Sequence, residues 1–128
     1  MPIDLPQARK RILVVDDERI IADTLVTILK QNGFDATVAY SGEQAVELAH
    51  GLEPALVLSD VIMGPLNGID AAILIVRSQP GCKILLFSGQ PAVAEMLDTA
   101  ARNGHRFDIL AKPVHPDTIL RQVRSLVH

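Results

Sequence analysis

Polar residues of the types that carry out chemistry follow four of the five apolar runs in this sequence. In chain order they are Asp16, Asp17 and Glu18 after the first run, Asp60 after the third, Ser88 after the fourth and Lys112 after the fifth. In open α/β sheets, ligands bind beyond the carboxyl ends of the strands. If the first and third strands are neighbours, the carboxylates of Asp16, Asp17 and Asp60 converge at that edge.

This combination of residue types indicates phosphoryl transfer onto an aspartate. Three carboxylates held close together repel one another, and Mg2+ suits them because it uses few carboxylates and keeps several waters. The ammonium group of Lys112 can pair with one phosphate oxygen, and the hydroxyl group of Ser88 can donate to another. A cation, an ammonium, a hydroxyl and a carboxylate nucleophile together describe this reaction. Each residue alone has an ordinary explanation in a turn or on the surface, so the prediction depends on their occurring together.

Five apolar or β-branched runs predict the strands that must position these residues. The runs are Ile12–Val15, Ala36–Ala39, Ala55–Ser59, Lys83–Phe87 and Phe107–Leu110. Three of the runs lack alternation of polar and apolar residues. That pattern is typical of strands buried on both faces, in a parallel sheet covered by helices.

Helical periodicity occupies the intervals between the strands. The predicted helices are Glu18–Asn32, a second helix opened by a capping box at Ser41, Gly68–Ser78, Pro91–Asn103 and Pro116–Val127. Five strands alternating with five helices predict a doubly wound α/β sandwich with right-handed crossovers. Periodicity does not fix the order of the strands in the sheet.

Length, charge and cysteine content narrow the class of protein. The 128 residues suit one domain, and a net charge of −3 gives no overall attraction to nucleic acid or anionic membranes. No stretch reaches the roughly 18 apolar residues of a membrane span, and the N-terminus is not a signal peptide. Because Cys82 is the only cysteine, we expect a reducing, cytoplasmic location. We expect a flexible leader over residues 1–10 and one domain over residues 11–128.

From Lys10 to Val127 the sequence resembles the CheY-like receiver domain of bacterial two-component response regulators. The motifs that carry the resemblance are Ile12-Leu13-Val14-Val15-Asp16-Asp17-Glu18, Leu58-Ser59-Asp60 with Met63 and Gly68, Phe87-Ser88-Gly89, and Leu110-Ala111-Lys112-Pro113. The resemblance implies a flavodoxin-like (βα)5 sandwich with a five-stranded parallel sheet in the order 2-1-3-4-5, for which CheY is a standard example.

The resemblance also implies a role for each matching residue. Asp60 would be the phosphoacceptor, Asp17 would bind Mg2+ directly, Asp16 would hold it through water, and the backbone carbonyl of Ile62 would be a further ligand. Ser88 would be the switch hydroxyl, Lys112 the partner of the phosphate, and the Lys112–Pro113 peptide bond would be cis.

The chain departs from the family pattern at two places. Ile109 stands where relatives usually carry Tyr or Phe, and Phe107 lies two residues earlier. We therefore expect the strand-four loop and the fourth helix to carry the signal, with strand five largely passive. The loop after Asp60 has Gly64 before Pro65, where the family commonly has proline one position earlier. We expect that change to alter the rigidity of the loop more than its chemistry.

The implied function is that of a signalling domain, which catalyses only its own phosphorylation and dephosphorylation. A sensor histidine kinase or a histidine phosphotransfer protein would donate the phosphoryl group. Because the sequence ends with the fifth helix, we expect no output domain and a downstream protein as the target. Two alternatives stay open: a degenerate receiver that binds partners without phosphorylation, and a haloacid-dehalogenase-type phosphatase. The second needs an acid two residues after its nucleophile, where this chain has Ile62.

Overall fold

The structure is a computed structural model and describes residues 9–127. Strands and helices alternate strictly along the chain. The strands are β1 (Arg11–Val15), β2 (Asp35–Ala39), β3 (Leu56–Asp60), β4 (Lys83–Ser88) and β5 (Asp108–Ala111). The helices are α1 (Arg19–Gln31), α2 (Gly42–Leu52), α3 (Gly68–Ser78), α4 (Val93–Arg102) and α5 (Pro116–Val127). Most of the leader predicted for residues 1–10 lies outside the described residues.

The five strands form one parallel sheet in the order β2-β1-β3-β4-β5. Two hydrophobic clusters cover its two faces. Helices α2, α3 and α4 pack on one face, and α1 and α5 pack on the other. The predicted doubly wound α/β fold and the strand order implied by the resemblance are both confirmed.

The central strands explain why their sequences do not alternate. In β1, Leu13 and Val15 belong to the cluster under α2 and α3, whereas Ile12 and Val14 belong to the cluster under α1 and α5. Every residue of β3 is buried. The middle of these strands must therefore be apolar on both faces, and the buried polar residues Ser59 and Asp60 occur only at the carboxyl end of β3.

Local capping sets two of the helix starts close to that edge. The hydroxyl oxygen of Ser41 accepts a hydrogen bond from the amide of Gln44 (3.0 Å), and the Gln44 side chain accepts one from the amide of Tyr40 (2.8 Å). The predicted capping motif therefore opens α2. The side chain of Asn67 caps α3 in the same way, accepting from the amide of Asp70 at 2.8 Å.

Several predicted boundaries were wrong by one or two residues, among them the starts of β5 and α4. Strand β5 begins at Asp108 rather than Phe107, because pairing with β4 starts at Asp108, opposite Leu85. Helix α4 begins at Val93 rather than Pro91, because Gln90 to Ala94 first form turn-type hydrogen bonds. Among residues 9–127, no helix combines the length and apolarity needed to cross a membrane.

Gly68 is the position where the chain packs most tightly against the edge that carries Asp60. Its amide donates to the carbonyl of Val61 (2.8 Å), and a Cβ atom there would run into the backbone carbonyl of Asp60. We expect Gly68→Ala to lower the free energy of unfolding by about 2 kcal/mol, because backbone cannot yield as a side chain can. Urea unfolding measures this effect.

Gly51 provides the control for that substitution. It lies within α2, and a Cβ atom there would meet nothing within 4 Å. Gly51→Ala should raise the stability by about 0.5–1 kcal/mol, because alanine favours helix more than glycine does. Equal stability of the wild type and Gly68→Ala would contradict the close contact with Asp60.

Candidate functional site

Three carboxylates meet where β1 and β3 end side by side. The two strands are paired up to Val15 and Ser59, so the next residue of each, Asp16 and Asp60, lies at the same edge. One carboxylate oxygen each of Asp16, Asp17 and Asp60 lies within 4.8 Å of the other two. The convergence predicted for these residues is present in the structure.

Asp16 is fully buried, and its two oxygens differ in their surroundings. Oδ1 accepts a hydrogen bond from the amide of Glu18 (2.9 Å), whereas Oδ2 has no hydrogen-bond partner among the described residues. Burial, reinforced by the charge of Asp60, raises the pKa of Asp16 to about 6. Among residues 9–127, the nearest cation to Oδ2 is the ammonium of Lys112, at 3.9 Å. A buried carboxylate oxygen without a partner is costly, so this atom fits a site for a bound cation.

The carboxylate of Asp60 is held from two sides. Its Oδ1 accepts a hydrogen bond from the amide of Val61 (2.8 Å), and its Oδ2 lies 3.2 Å from the ammonium of Lys112. The amide of Lys112 in turn donates to the carbonyl of Ser88 (2.9 Å), which ties the end of β5 to β4. The peptide bond between Lys112 and Pro113 is cis. Asp60 therefore has a fixed orientation beside a single flexible cation.

A cavity of about 390 Å3 opens beside these carboxylates, and Asp17 and Asp60 line it whereas the buried Asp16 does not. Its lining residues are Asp17, Glu18, Asp60, Ile62, Gly89, Gln90 and Lys112. The side chain of Ile62 is 45% exposed on the rim. Gly89 belongs to the motif identified after β4, whereas Gln90 was not singled out in the sequence, although its position two residues after Ser88 places it at the carboxyl edge. The cavity combines carboxylates with one ammonium group and is large enough for a small anion with a metal ion.

Ser88 lies beside this cavity rather than in its lining. The residue is buried, and its hydroxyl oxygen accepts a hydrogen bond from the amide of Gln90 at 3.1 Å. It lines a second groove of about 310 Å3 between α4 and β5, which Ile109 also lines. We call this the α4–β5 groove, and its other lining residues are Gln90, Pro91, Val93, Ala94, Leu97, Leu110 and Ala111.

The two residues considered for the switch lie in different places. Ile109 is 37% exposed and shares the α4–β5 groove with Ser88. Phe107 precedes β5, stacks on His105 with 6.2 Å between ring centroids, and lines a separate cavity with residues at the start of β4. Phe107 therefore lies outside the α4–β5 groove, and of the two residues only Ile109 shares that groove with Ser88.

The model of the response regulator receiver domain matches residues 12–124 of this chain. The chain belongs to the response regulator receiver domain family. The family match covers β1 from Ile12, the other four strands in full and most of α5. It identifies a phosphoacceptor signalling domain of the two-component type rather than a classical enzyme.

Two curated proteins illustrate the range of relatives of this receiver domain. It is 32% identical over 120 residues to the DNA-binding response regulator MtrA of Mycobacterium tuberculosis, covering 91% of this chain and 50% of MtrA. It is 31% identical over 118 residues to the chemotaxis protein CheY of Thermotoga maritima, covering 91% of this chain and 97% of CheY. The receiver domain thus spans about half the length of MtrA and almost all of CheY.

Solved structures show the same architecture. A CheY-like receiver domain protein from Methanospirillum hungatei superposes with a TM-score of 0.85 at 22% identity, covering 94% of each chain. The response regulator TrrA from Thermotoga maritima, solved in complex with Mg2+ and BeF, gives a TM-score of 0.79 at 28% identity and covers 91% of this chain and 98% of its own. A receiver protein from Pseudomonas putida is 30% identical with a TM-score of 0.79, covering 94% and 99%.

Proposed function

We propose that this receiver domain accepts a phosphoryl group on the carboxylate of Asp60 and signals through contacts with other proteins. In this proposal it works as a single-domain response regulator of a phosphorelay, with a histidine kinase or a histidine phosphotransfer protein as the donor. The observation that carries the proposal is the placement of Asp60: its carboxylate lies among Asp16, Asp17 and Lys112 at the floor of an open cavity.

In the proposed reaction, an oxygen of Asp60 attacks the phosphorus of the donor as the bond from phosphorus to the leaving group breaks. The hydrogen bond from the amide of Val61 holds the carboxylate in one orientation throughout. Lys112 already lies beside Oδ2 of Asp60, so its ammonium needs little movement to pair with a phosphoryl oxygen. Positioning and charge stabilisation of this kind supply most of the catalysis in phosphoryl transfer.

The donor set fits Mg2+, which prefers oxygen ligands and few carboxylates. In the proposal, Asp17 and Asp60 and the backbone carbonyl of Ile62 hold the ion, and Asp16 holds it through water. The unpartnered Oδ2 of Asp16 supports this assignment, because a nearby cation would offset the cost of its burial. When bound, the ion would neutralise charge on the phosphoryl oxygens. TrrA, a relative of the same fold, was solved in complex with Mg2+ and BeF.

Mg2+ should stabilise the unphosphorylated protein, because an ion that binds only the folded state shifts the unfolding equilibrium. At a concentration of about 100 times its Kd, we expect a gain of about 2.7 kcal/mol in the free energy of unfolding. Asp17→Ala should remove most of this gain. Asp98→Ala, which removes an exposed carboxylate of α4, should keep it. Equal responses of the two variants to Mg2+ would argue against a metal site at Asp17.

The proposal is tested by incubating the protein with acetyl phosphate, with and without Mg2+, and locating the modification by peptide mass spectrometry. We expect one phosphoryl group, on the peptide that contains Asp60, and little modification without Mg2+. Modification of a histidine, or none at all under conditions that modify a known receiver, would overturn the proposal. The second result would favour a receiver that binds its partners without phosphorylation.

We further propose that the signal leaves the site through Ser88 and the α4–β5 groove. In the structure, the hydroxyl oxygen of Ser88 accepts a hydrogen bond from the amide of Gln90. A phosphoryl group on Asp60 would offer this hydroxyl an acceptor, and Ser88 would turn toward it. Ile109, which lines the same groove, is β-branched and has no ring to swing into the space.

The phosphoryl mimic beryllofluoride should therefore change amide hydrogen exchange at Ser88–Asn103 more than at Phe107–Leu110. Ser88→Ala should still accept phosphate and lose most of this response. Ser78→Ala, at the end of α3, should behave as the wild type. A full exchange response in Ser88→Ala would exclude its hydroxyl as the trigger.

A further inference from the structure

The route of the Lys112 side chain to Asp60 passes over β4. Asp60, Phe87 and Leu110 are register partners on the adjacent strands β3, β4 and β5. Phe87 and Leu110 both contribute to the cluster under α1 and α5, and Lys112, two residues after Leu110, follows the same alternation. Two strand spacings, about 10 Å, separate β5 from β3. The side chain that lies between the lysine and Asp60 on this face is therefore Phe87.

The ammonium of Lys112 contacts both groups. It lies 4.9 Å from the centroid of the Phe87 ring and 3.2 Å from Oδ2 of Asp60. A cation within about 6 Å of an aromatic face is attracted by the electron density of the ring, and more strongly when the ring is shielded from water. Phe87 is 3% exposed, so its ring is shielded from water, although the side chain of Lys112 is 27% exposed.

We propose that Phe87 is a positioning residue for phosphoryl acceptance, because its ring holds the ammonium of Lys112 beside Asp60. This inference rests on the proposed function. Lysine has a long flexible side chain, and fixing it before reaction lowers the entropy lost in the transition state. The ring attracts the charge without accepting a conventional hydrogen bond, so the three N–H groups of Lys112 remain free for carboxylate and phosphoryl oxygens.

The competing explanation is that Phe87 only fills the core. It belongs to the buried cluster under α1 and α5, and removing it would lower stability whatever its effect on Lys112. The two explanations differ in one respect. A packing residue affects phosphorylation only through loss of folded protein, whereas a positioning residue affects the rate in the folded protein and only while Lys112 is present.

The first test compares phosphorylation rates by acetyl phosphate with saturating Mg2+. Phe87→Leu should slow the reaction about fivefold, equivalent to about 1 kcal/mol. Phe87→Tyr should stay within about twofold of the wild type, because it keeps the ring and the adjoining groove of about 400 Å3 can take the hydroxyl. Phe34→Leu is the matched control, since Phe34 is buried in the same cluster at the opposite end of the sheet. It should lose stability and keep the rate.

A double-mutant cycle shows whether the ring acts through the lysine. In the Lys112→Ala background, Phe87→Leu should have no further effect on the rate. The same fivefold loss in both backgrounds would overturn the proposal, as would a Phe87→Tyr variant that is as slow as Phe87→Leu.

Fluorinated phenylalanines at position 87 cover the case in which Phe87→Leu does not fold. Fluorine withdraws electron density from the ring face while nearly preserving its size, so the rate should fall stepwise with the number of fluorine atoms. A rate independent of fluorination would overturn the proposal.

A measurement on the resting protein separates this inference from the proposed function. Without Mg2+ or donor, the ε-methylene resonances of Lys112 should show a ring-current shift that Phe87→Leu abolishes and Phe34→Leu preserves. If the wild type accepts no phosphate, the proposed function fails, and the ring-current shift still decides whether Phe87 holds the lysine. If the wild type is phosphorylated and the shift is absent, only the inference about Phe87 fails.

Discussion

Asp60→Asn is expected to abolish phosphoryl incorporation from acetyl phosphate. The amide is neutral and a poor nucleophile, so the new bond to phosphorus cannot form as it does with a carboxylate. The fold should be retained, because the amide oxygen can still accept the hydrogen bond from Val61. Lys112 would lose its partner at 3.2 Å and keep the carboxylate of Asp16 at 3.9 Å. Intact-protein mass spectrometry measures the loss directly.

Asp98→Asn is the matched control for that experiment, since it makes the same chemical change on the exposed surface of α4. It should accept one phosphoryl group, as the wild type does. Thermal unfolding of both variants tests whether a loss of labelling comes from a loss of folded protein. Substantial labelling of Asp60→Asn would move the acceptor to another residue and would also remove the reason for placing Mg2+ beside Asp60.

Asp16 should make the metal-free protein less stable at neutral pH than at moderately acidic pH. Burial raises the pKa of Asp16 from 3.8 to about 6, so the folded state holds a proton that the unfolded state releases between these values. The contribution of Asp16 to stability therefore falls as the pH rises from about 4 to about 6, and it stays low above that. The total change corresponds to about 3 kcal/mol in the free energy of unfolding.

Asp16→Asn isolates this contribution from those of the other titrating groups. The variant should show a pH dependence smaller by about 3 kcal/mol between pH 4 and pH 7, measured by urea unfolding in the presence of a chelator. It should also be more stable than the wild type at pH 7 without Mg2+. Identical pH profiles for the two proteins would contradict a raised pKa of Asp16 in the folded state.

The parts of the fold that could be predicted are those in which burial requires apolar residues. The continuous apolar runs in β1, β3 and β4 follow from burial on both faces, and the polar residues after them, although buried as well, lie at the carboxyl edge of the sheet. The convergence of Asp16 with Asp60 needed one further fact, that β1 and β3 are neighbours. Periodicity does not contain that fact, and the family resemblance supplied it.

The remaining features depend on contacts between strands that the linear sequence does not record. Phe87 reads as one more apolar residue of β4, and its contact with Lys112 arises only from the register of β4 with β5. Whether Phe107 or Ile109 shares a groove with Ser88 depended in the same way on where β5 begins. Short edge strands are weakly specified by pattern, because solvent on one side removes the need for a continuous apolar run.

The exposure of β5 makes this edge of the sheet easier to displace than the centre of the sheet. Strand β3 is buried along its whole length, whereas β5 is a four-residue edge strand that is largely exposed. Displacing β5 therefore disrupts less packing than displacing β3. Lys112 links the two strands, since its backbone continues from β5 and its ammonium contacts Asp60 on β3. A change of charge at Asp60 therefore acts through Lys112 just beyond the carboxyl end of β5, and Phe107–Leu110, where little exchange response is expected, lie before that point.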